Sequence, residues 1–554
     1  MRNLYSFLLL LLLANTCYSQ FVFNKIEINP GPAGSNPFAF DTFNGKMIFI
    51  AATDTAGYEL YTSDGTQAGT TLLKNINPGS SGISFPISNW KRVILDGSKY
   101  FFYANSGLAG LKLWMTDGTA AGTKMITDSK SLLGYPNALY TIGAYKGAVY
   151  FSASVNSDYY LWKSDGTSAG TRQFMQVRGS SSFTNYNGKL YFIASDYFFR
   201  NRELWVTDSS SGGTVMLKDI NPGDGNAFSN NQQLIEYNGQ LFFWANDGLH
   251  GYELWTTDGT ATGTVMVKDI WQGLGNSWFV QDFTVFNNKL YFSANDSVHG
   301  IELWESDGTT AGTKMVKDIY PGIRSSKPYN IRLCNDKLYF RAMDTLNHGE
   351  ETWISDGTTT GTKMLKEIAP DTLSGAGIGF TAYKNHVFFQ APDSTASMYQ
   401  SRLWITDGTG TNTHSIAPIG ATVDSALYSQ SYSSFNESFV YSGALYFAAN
   451  FDGSGMELWS LKDTTGASNI SITSQKLFSV YPNPNNGTFT LQLTNTNFRN
   501  SSINVYDMTG KIVYQQKDIQ QMQIHTLKID TPKGYYLLMV QLDDVVQTKQ
   551  IVIE

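Results

Sequence analysis

The chain has 554 residues, of which 14% are aromatic, 15% are charged and 51 are glycine. Such a chain can bury a large core, and its length suggests more than one domain. The net charge is −7 and no basic tract is present. The sequence therefore lacks the cluster of Lys and Arg that is typical of nucleic-acid-binding proteins.

Residues 1–19 have the pattern of a secretory signal peptide. Arg2 supplies the positive charge, residues 7–14 form the apolar segment, and Cys17 and Ser19 are small residues at the cleavage site. The apolar run is too short for a permanent transmembrane helix. A lipoprotein signal through Cys17 is the alternative, although the residues before it fit a lipidation site poorly.

Cys334 is the one cysteine that remains after signal cleavage, so the mature chain cannot form an intramolecular disulfide. Its stability must therefore come from packing. The apolar, strand-like context of Cys334 predicts a buried and inert thiol rather than a nucleophile.

One motif recurs from near the mature N-terminus to about residue 460. It has the form Glu-Leu-Trp-x-x-Asp-Gly-Thr-x-x-Gly-Thr, and its copies are 43 to 55 residues apart. A repeat of this length is typical of a solenoid, a propeller or an array. The aromatic position of the motif is occupied by Tyr61, Trp114, Trp162, Trp205, Trp255, Trp304, Trp353, Trp404 and Trp459.

Each repeat has the pattern of four antiparallel strands. An Asn-Gly pair such as Asn187-Gly188 predicts a tight hairpin turn, because both residues accept positive φ. The apolar Leu-Tyr-Phe run after it, the Glu-Leu-Trp segment and a final Lys-Met-Val-Lys segment supply the other strands. Residues 20–460 are therefore predicted to form an all-β propeller of about nine blades, with eight as the alternative.

The N-terminal segment is predicted to complete the last blade. Residues 27–31 match residues 219–223, which end a fourth strand, whereas the last repeat stops at Trp459 without a fourth strand. An N-terminal strand in that place closes the ring and removes two open sheet edges.

Glu302 and Lys317 illustrate a second regularity. Five copies carry a Glu and, fifteen residues later, a Lys, and copies that replace the Glu, for example with Lys112, also lack the Lys. A cross-strand ion pair explains why the two positions change together. We therefore expect Glu302 to lie opposite Lys317.

After a small and polar linker at 461–478, the pattern changes. Residues 479–554 contain short strands and turns that predict a small β-sandwich. They open on Tyr-Pro-Asn-Pro and continue with an Asp-x-x-Gly-Lys turn and a Gly-x-Tyr-x-x-x-Val strand. The residues of this pattern are Tyr481, Pro482, Asn483, Pro484, Gly487, Asp507, Gly510, Lys511, Gly534, Tyr536 and Lys549.

This C-terminal segment resembles the sorting domain of the bacterial type IX secretion system. The resemblance implies export through the signal peptide and then passage across the outer membrane by the secretion machinery. It also implies removal of the domain by a sorting peptidase, followed by release or by attachment to surface lipopolysaccharide. The Glu-Leu-Trp repeat in turn resembles a repeat of large bacterial surface proteins that have no settled activity.

The Asp-Gly-Thr loops are expected at the end of the propeller that also carries the Asn-Gly turns. Their aspartates most simply accept hydrogen bonds from the backbone of their own loop. Ca²⁺ binding is the alternative, but one carboxylate per loop falls short of the six to eight oxygens that Ca²⁺ takes. The loop aspartates are Asp64, Asp117, Asp165, Asp258, Asp307, Asp356 and Asp407.

The opposite end carries more varied loops, and we place the candidate ligand site there. Three consecutive repeats have a His after an Asp, and aromatic residues are nearby. These histidines either stabilise turns or act as metal ligands or proton carriers. The aromatics either stack on sugar rings or are half-buried in packing. The candidate residues are Asp247, His250, Tyr252, Trp271, Trp278, Asp296, His299, Tyr320 and His348.

No nucleophile elbow, zinc-protease motif, phosphate loop or dinucleotide fingerprint is present. The sequence favours a secreted or surface-displayed binding or adhesion protein without a cofactor, whose ligand is an extracellular glycan or protein. An extracellular hydrolase or lyase that acts on polysaccharide through His250, His299 and His348 is the first alternative. A structural surface-layer component is the second.

Overall fold

The computed structural model describes residues 21–79, 82–83, 92–107, 112–126, 141–155, 158–196, 200–229, 232–277, 283–346, 348–370, 374–392, 401–422, 425–426, 438–464, 478–493, 501–507, 511–517, 519, 524–542 and 545–554. These residues contain strands and no helix. The predicted signal peptide, Trp278 and Gly510 lie outside them. The chain divides into two compact units, one that ends at Asp463 and one that begins at Thr464.

The first unit begins with strand β1 (Phe21–Ile26), and four blades follow it, each an antiparallel sheet of four strands. Blade 1 contains β2 (Phe38–Phe43), β3 (Lys46–Thr53), β4 (Gly57–Ser63) and β5 (Thr71–Lys74). Blade 2 contains β6 (Arg92–Leu95), β7 (Lys99–Ala104), β8 (Lys112–Thr116) and β9 (Lys124–Met125). Blade 3 contains β10 (Ile142–Tyr145), β11 (Ala148–Val155), β12 (Asp158–Ser164) and β13 (Arg172–Met175). Blade 4 contains β14 (Arg178–Tyr186), β15 (Lys189–Ser195), β16 (Glu203–Thr207) and β17 (Val215–Lys218).

Four further blades repeat the same order of strands. Blade 5 contains β18 (Ile235–Tyr237), β19 (Gln240–Asn246), β20 (Tyr252–Thr257) and β21 (Val265–Lys268). Blade 6 contains β22 (Thr284–Phe286), β23 (Lys289–Asn295), β24 (Ile301–Ser306) and β25 (Lys314–Lys317). Blade 7 contains β26 (Tyr329–Cys334), β27 (Lys337–Ala342), β28 (Glu351–Ser355) and β29 (Lys363–Lys366). Blade 8 contains β30 (Ile378–Tyr383), β31 (His386–Pro392), β32 (Ser401–Thr406) and β33 (His414–Ser415).

Blade 9 is built from both ends of this unit. It contains β34 (Ser425–Ala426), β35 (Phe439–Tyr441), β36 (Ala444–Asn450) and β37 (Glu457–Asp463). Its outer strand is β1, which pairs antiparallel with β37 from Phe21 opposite Asp463 to Ile26 opposite Leu458. The N-terminal strand thus takes the place that the sequence predicted for it.

Buried apolar clusters join the blades in a circle. Each blade shares one cluster with the next, and a ninth cluster joins blade 9 to blade 1. In that ninth cluster, Ile26 and Tyr446 of blade 9 pack with Phe49 of blade 1. The unit is therefore a closed nine-bladed propeller, and its stability depends on burial between blades rather than on disulfides. Cys334 is buried in the cluster between blades 7 and 8, as predicted.

Local sequence explains the hairpins within a blade. Asn187 and Gly188 both have positive φ, 46° and 70°, as a two-residue turn between twisted strands requires. The second and third strands, such as β23 and β24, are almost completely buried because neighbouring blades cover both of their faces. Their continuous apolar runs follow from this double burial.

The predicted ion pair between Glu302 and Lys317 is wrong. Strands β24 and β25 pair with a bulge between Leu303 and Trp304, so Lys317 lies opposite Leu303. The bulge adds one residue to one strand, which shifts the register by one and moves a side chain to the other face of the sheet. The fifteen-residue spacing between Glu302 and Lys317 is the same with or without the bulge, so the sequence does not show it.

Lys317 instead reaches the next blade. Its Nζ donates to the carbonyl of Thr362 at 2.6 Å and lies 5.8 Å from the centroid of the Trp353 ring. The irregular blades 2 and 8 lack both the Glu and the Lys, and their fourth strands have only two residues each. Blade 3 also lacks both residues, with Tyr160 and Met175 in their places, although its fourth strand has four residues, so strand length alone does not explain why the two positions vary together.

The second unit is a β-sandwich. One sheet has the order β38–β39–β42 and the other β41–β40–β43–β44. The strands are β38 (Phe478–Tyr481), β39 (Thr488–Leu493), β40 (Ser501–Tyr506), β41 (Ile512–Lys517), β42 (Ile524–Lys528), β43 (Gly534–Leu542) and β44 (Val545–Ile553). Alternating side chains of both sheets, among them Phe489 and Val540, form one buried core.

Candidate functional site

The Asp-Gly-Thr loops at one end of the propeller are held by their own aspartates. Asp307 accepts the N–H of Thr309 at 2.9 Å and its hydroxyl at 2.7 Å. These hydrogen bonds, that of the Thr309 side chain foremost, lower the pKa of Asp307. The same pair of contacts is made by Asp64, Asp117, Asp165, Asp208, Asp258, Asp356 and Asp407.

Asp208 is not among the loop aspartates predicted from the sequence, because Ser-Ser follows it in place of Gly-Thr. Ser210 replaces the Thr and donates both its N–H, at 2.8 Å, and its hydroxyl, at 2.6 Å, to Asp208. The hydroxyl and the N–H two positions after the Asp therefore define the loop, and Ser or Thr can supply them.

The opposite end of the propeller is formed by the loops between second and third strands and by the connections between blades. In blade 5, the carbonyl of Tyr252 accepts the N–H of Ser277 at 3.0 Å, and the Tyr252 N–H donates to the Asn276 side chain at 3.0 Å. These bonds hold the connection after β21 against the loop before β20. The two loop types therefore form a common surface, as the strand order predicted.

In each regular blade, a buried glutamate accepts hydrogen bonds from the connection to the next blade. The Glu302 carboxylate accepts the N–H groups of Ile319 at 2.8 Å and Ser326 at 3.0 Å and the Ser326 hydroxyl at 2.6 Å. Burial has the largest effect on the pKa of Glu302 and raises it to about 7, and the hydrogen bonds from these donors act in the opposite direction. The repeat pattern identifies this Glu as a recurring residue, but its predicted partner was Lys317, whereas its contacts are with Ile319 and Ser326.

Three Asp–His pairs lie on the surface loops of blades 5, 6 and 7. Each imidazole Nδ1 meets the carboxylate before it, at 2.8 Å for His250 and Asp247 and at 2.7 Å for His299 and Asp296. His348 makes the equivalent contact with Asp344 at 2.9 Å. The structure therefore pairs the predicted histidines and aspartates within single loops.

The geometry around His250 supports a role in the turn. Asp247 also accepts the backbone N–H groups of Leu249 and His250, both at 2.9 Å, so the carboxylate orders the whole loop. Its hydrogen bond with the imidazole raises the pKa of His250. The Nε2 atom of His250 has no hydrogen-bond partner among the described residues, and 38% of the His250 side chain is exposed. This nitrogen can therefore exchange a proton or bind a ligand.

Five large aliphatic side chains are exposed beside these pairs, and we call them the aliphatic row. They lie on loops between second and third strands or on the connections between blades, in three neighbouring blades. The sequence does not identify them, because periodicity does not show which loop side chains face water. The aliphatic row consists of Leu249 at 70%, Leu274 at 78%, Val298 at 61%, Ile323 at 77% and Leu346 at 54% exposure.

The predicted aromatic residues of this end are half-buried. Trp271 packs against Gly275, where a Cβ atom would lie 2.4 Å from the indole ring. The guanidinium of the exposed Arg324 lies 5.8 Å from the centroid of the Tyr320 ring. Tyr252 is also half-buried, and burial raises the pKa of its hydroxyl. Each of these side chains thus combines packing with a partly accessible face.

No group of three or more His, Cys, Asp or Glu side chains with metal-binding geometry occurs in the described part of the chain. The Asp–His pairs lie in separate blades, and each holds its own loop. Calcium binding stays a prediction at the Asp-Gly-Thr end.

In the second unit, the predicted sorting motif contacts the last strand. The side chain of Asn483 accepts the N–H of Val552 at 2.8 Å, and Asn485 donates its backbone N–H to the carbonyl of Val552 at 2.9 Å. Tyr536 is buried and donates its hydroxyl to the carbonyl of Pro532 at 2.6 Å.

Three further motif positions shape turns of this unit. Asp507 and Lys511 close a turn by exchanging backbone and side-chain hydrogen bonds at 2.9 and 3.0 Å. Gly487 has φ of 89°, and a Cβ there would meet the Ile529 carbonyl at 2.7 Å. The remaining motif residues that the structure describes are Tyr481, Pro482 and Pro484 at the exposed opening turn, Gly534 at the start of β43 and Lys549 in β44.

Comparison with protein families identifies the C-terminal segment. Residues 479–554 match the model of the secretion system C-terminal sorting domain. The chain therefore carries this domain, which indicates an exported protein of the cell surface or the extracellular space and an interaction with the secretion machinery.

Among curated proteins, ulvan lyase NLR42 of Nonlabens ulvanivorans is 35% identical over 99 residues. The aligned part is 17% of this chain and 17% of the lyase, so the two are similar over a short segment only.

Among solved structures, similar chains include puromycin hydrolase, with 11% identity and a TM-score of 0.38 over 76% of this chain and 62% of the hydrolase. TolB from Acinetobacter baumannii has 12% identity and a TM-score of 0.27 over 48% of this chain and 63% of TolB. At these scores the fold of this chain rests on its own strand pairing.

Proposed function

We propose that this protein is a secreted or cell-surface binding protein that holds an extracellular polysaccharide at the end of the propeller formed by the loops of blades 5–7. The aliphatic row is the observation that supports this proposal. A soluble protein rarely groups large exposed apolar side chains on one surface unless that surface meets a partner.

A polysaccharide fits this end for two reasons. Sugar rings have apolar C–H faces and hydroxyl edges, and this end of the propeller offers the half-buried rings of Trp271 and Tyr320 and the partly exposed imidazoles of His250 and His299. A polymer with a repeating unit can also contact equivalent loops of successive blades. The Asp-Gly-Thr end offers less, because its carboxylates are satisfied by their own loops.

A lyase or hydrolase that acts on polysaccharide is the second candidate. It is favoured by the similarity to ulvan lyase and by the Asp–His pairs, since a carboxylate at Nδ1 orients an imidazole whose Nε2 can accept a proton. Binding without catalysis remains the better-supported function. Each Asp–His pair also orders its own turn, so it needs no catalytic role to explain it.

A glycan array probed with the mature chain, together with a pull-down from extracellular protein, tests binding. Saturable binding to a polysaccharide supports the proposal. Capture of one protein with no glycan signal would move the ligand class to protein, and no signal in either experiment would refute the proposal.

The enzyme alternative is tested on a panel of acidic and neutral polysaccharides. A lyase creates a carbon–carbon double bond that absorbs in the ultraviolet, and a hydrolase creates new reducing ends. Activity of the wild type that is lost in a combined His250→Ala, His299→Ala and His348→Ala variant would establish the enzyme. An inactive wild type that still binds glycan supports the non-catalytic function.

The fate of the sorting domain belongs to the same proposal. We expect a sorting peptidase to remove residues 479–554, and the propeller then to be released or attached to lipopolysaccharide. Mass spectrometry of the C-terminus of the mature protein, from both the cell envelope and the medium, distinguishes these fates. A mature protein that keeps residues 479–554 would contradict removal.

A further inference from the structure

The five side chains of the aliphatic row alternate between two kinds of loop. Three of them lie between the second and third strands of blades 5, 6 and 7, and Leu274 and Ile323 lie on the two connections between these blades. Folding does not require an aliphatic residue in these places. The position equivalent to Leu274 in blade 4 holds Asp224, which pairs with Arg200 at 2.6 Å. The row therefore points to contact with a partner rather than to packing within the propeller.

The connections join the loops of neighbouring blades into one surface. The Ser277 N–H donates to the carbonyl of Tyr252 in blade 5, and the Ser277 carbonyl accepts the N–H of Asn295 in blade 6, both at 3.0 Å. Ser326 holds the next connection against blade 7 in the same way, where its carbonyl accepts the N–H of Met343 at 3.0 Å. Loops and connections therefore alternate along the rim from blade 5 to blade 7, and the aliphatic side chains follow one another in that order.

Loop and connection also touch within a blade. A Cβ on Gly251 would collide with the carbonyl of Gly275, so the loop that carries Leu249 rests on the connection that carries Leu274. Blade 6 has the same close approach at Gly300. The row is therefore a strip in which aliphatic side chains from a loop and from a connection are neighbours.

Exposed aliphatic side chains select apolar groups of a ligand. A sugar hydroxyl placed against Leu or Val gives up its hydrogen bonds with water and receives none from the protein, which is unfavourable. A methyl group in the same place removes apolar surface of both partners from water. The rings of Trp271 and Tyr320 are half-buried, whereas every member of the row is more than half exposed. The most exposed part of this end therefore suits sugars that carry methyl groups.

An imidazole accompanies the aliphatic side chain in each of the three loops. His250, His299 and His348 follow a member of the row within two positions, and their side chains are 37–40% exposed. The carboxylates of these loops are already held by the imidazoles, so the members of the row have no free anion in their own loops. Each loop thus offers a hydrogen-bonding group and an apolar group, as a neutral sugar with hydroxyls and a methyl group requires.

We infer, on the basis of the proposed function, that the polysaccharide held by blades 5–7 carries methyl groups and that the aliphatic row selects them. The methyl group is either C6 of a 6-deoxy sugar or the end of an acetyl substituent. The pairing of an aliphatic side chain with an imidazole recurs in successive blades. A polymer with a methyl group in each repeating unit therefore contacts the row several times.

Two pairs of neutral polymers test this selection and distinguish the two sources of the methyl group. One pair is acetylated glucomannan and the same polymer after deacetylation by mild alkali. The other is polyacrylamide bearing either α-L-fucosyl or α-L-galactosyl groups, which differ only in the C6 methyl group. We expect the mature chain to bind the methyl-bearing member of at least one pair roughly tenfold more tightly than its partner.

Equal binding within both pairs, or preference for a methyl-free member, would overturn the inference and leave the proposed function standing. If neither pair binds, the polymer with the strongest signal on the glycan array decides, and absence of 6-deoxy sugars and acetyl groups from that polymer would overturn the inference. An array without any signal refutes the proposed function instead. Binding to phosphatidylcholine vesicles, without preference within either pair, would assign the row to a lipid surface.

One substitution locates the selection. Val298→Thr keeps the shape of the side chain but replaces a methyl group with a hydroxyl, so it should reduce the preference for the methyl-bearing member by about fourfold. Val215→Thr makes the same change at a valine of β17 that is 48% exposed and lies outside the row, and it should change nothing. Thermal unfolding checks that both variants are folded. Equal weakening of both members of a pair by Val298→Thr would contradict selection of the methyl group.

Discussion

The backbone N–H of Ile28 donates to the carboxylate of Glu457 at 2.9 Å. Inside blade 6, Ile319 makes the same contact with Glu302 at 2.8 Å. The N-terminal and C-terminal ends of the propeller thus meet through the contact that orders a continuous blade. The closing strand is therefore an integral part of blade 9 rather than an appendage.

Removal of the closing strand should destabilise the propeller. A chain that begins at residue 37 loses Phe21, Phe23 and Ile26 from the clusters beside blade 9. Burial of one large apolar side chain contributes about 1.5–3 kcal/mol, so we expect the free energy of unfolding to fall by roughly 5 kcal/mol. Urea denaturation measures this loss, and a synthetic peptide of residues 21–36 should restore part of it. An unchanged denaturation midpoint would show that β1 does not close the ring.

The buried glutamates should make the protein less stable as pH rises. Burial raises the pKa of Glu203, Glu253, Glu302 and Glu351 from the ordinary value of 4.5 to about 7. Between these two values the folded protein binds more protons than the unfolded chain, so the free energy of unfolding falls as pH increases from 4.5 to 7. Thermal unfolding between pH 5 and pH 8 measures this dependence.

The variant Glu302→Gln assigns part of this pH dependence to one residue. The variant cannot ionise, so the difference in stability between it and the wild type should become smaller as pH rises. Glu236→Gln removes one exposed negative charge by the same substitution and should leave the dependence intact. A wild type that gains stability over this range would mean that the donors from Ile319 and Ser326 outweigh burial.

Two adjacent glycines provide a test of the Asp-Gly-Thr loop. A Cβ on Gly213 would lie 2.2 Å from the carboxylate of Asp208, which Ser210 holds in place, whereas a Cβ on Gly212 meets nothing within 4 Å. Gly213→Ala should therefore cost about 1–3 kcal/mol, because the loop must shift. Gly212→Ala should be neutral or add up to about 1 kcal/mol. Chemical denaturation of both variants checks this, and equal effects would contradict the loop geometry.

Double-mutant cycles distinguish the observed partner of Lys317 from the one that spacing predicted. The Lys317 ammonium lies over the ring of Trp353, and a cation–π contact contributes about 0.5–1 kcal/mol when partly exposed. We expect a coupling of that size between Lys317→Met and Trp353→Leu. Between Lys317→Met and Glu302→Gln we expect none, and the reverse result would restore the ion pair.

The features that the sequence predicted correctly are those encoded within one repeat. The Asn187-Gly188 turn and the Asp307 loop each depend on a few neighbouring residues, and the match of residues 27–31 to a fourth-strand end places the N-terminal strand in blade 9. Repetition strengthened each pattern, because nine copies had to fit one geometry.

The features that the sequence did not predict depend on residues far apart in the chain or on exposure. The bulge beside Trp304 changes the register without changing the spacing, so the spacing alone predicts Glu302 opposite Lys317, whereas Leu303 lies there. Exposure of Leu249 and Val298 depends on how loops of different blades pack, which no local pattern records.

The most direct test of the proposed binding surface is calorimetric titration of the polysaccharide with the strongest array signal. We compare the wild type with Leu249→Ser, Val298→Ser and Ile323→Ser combined. The control removes three exposed aliphatic side chains of the fourth strands, which are Leu72, Val215 and Val265, at 39%, 48% and 45% exposure. We predict at least tenfold weaker binding in the first variant, about 1.4 kcal/mol or more, and no change in the control. Equal affinity in both variants, or loss in the control alone, would contradict a binding surface on blades 5–7.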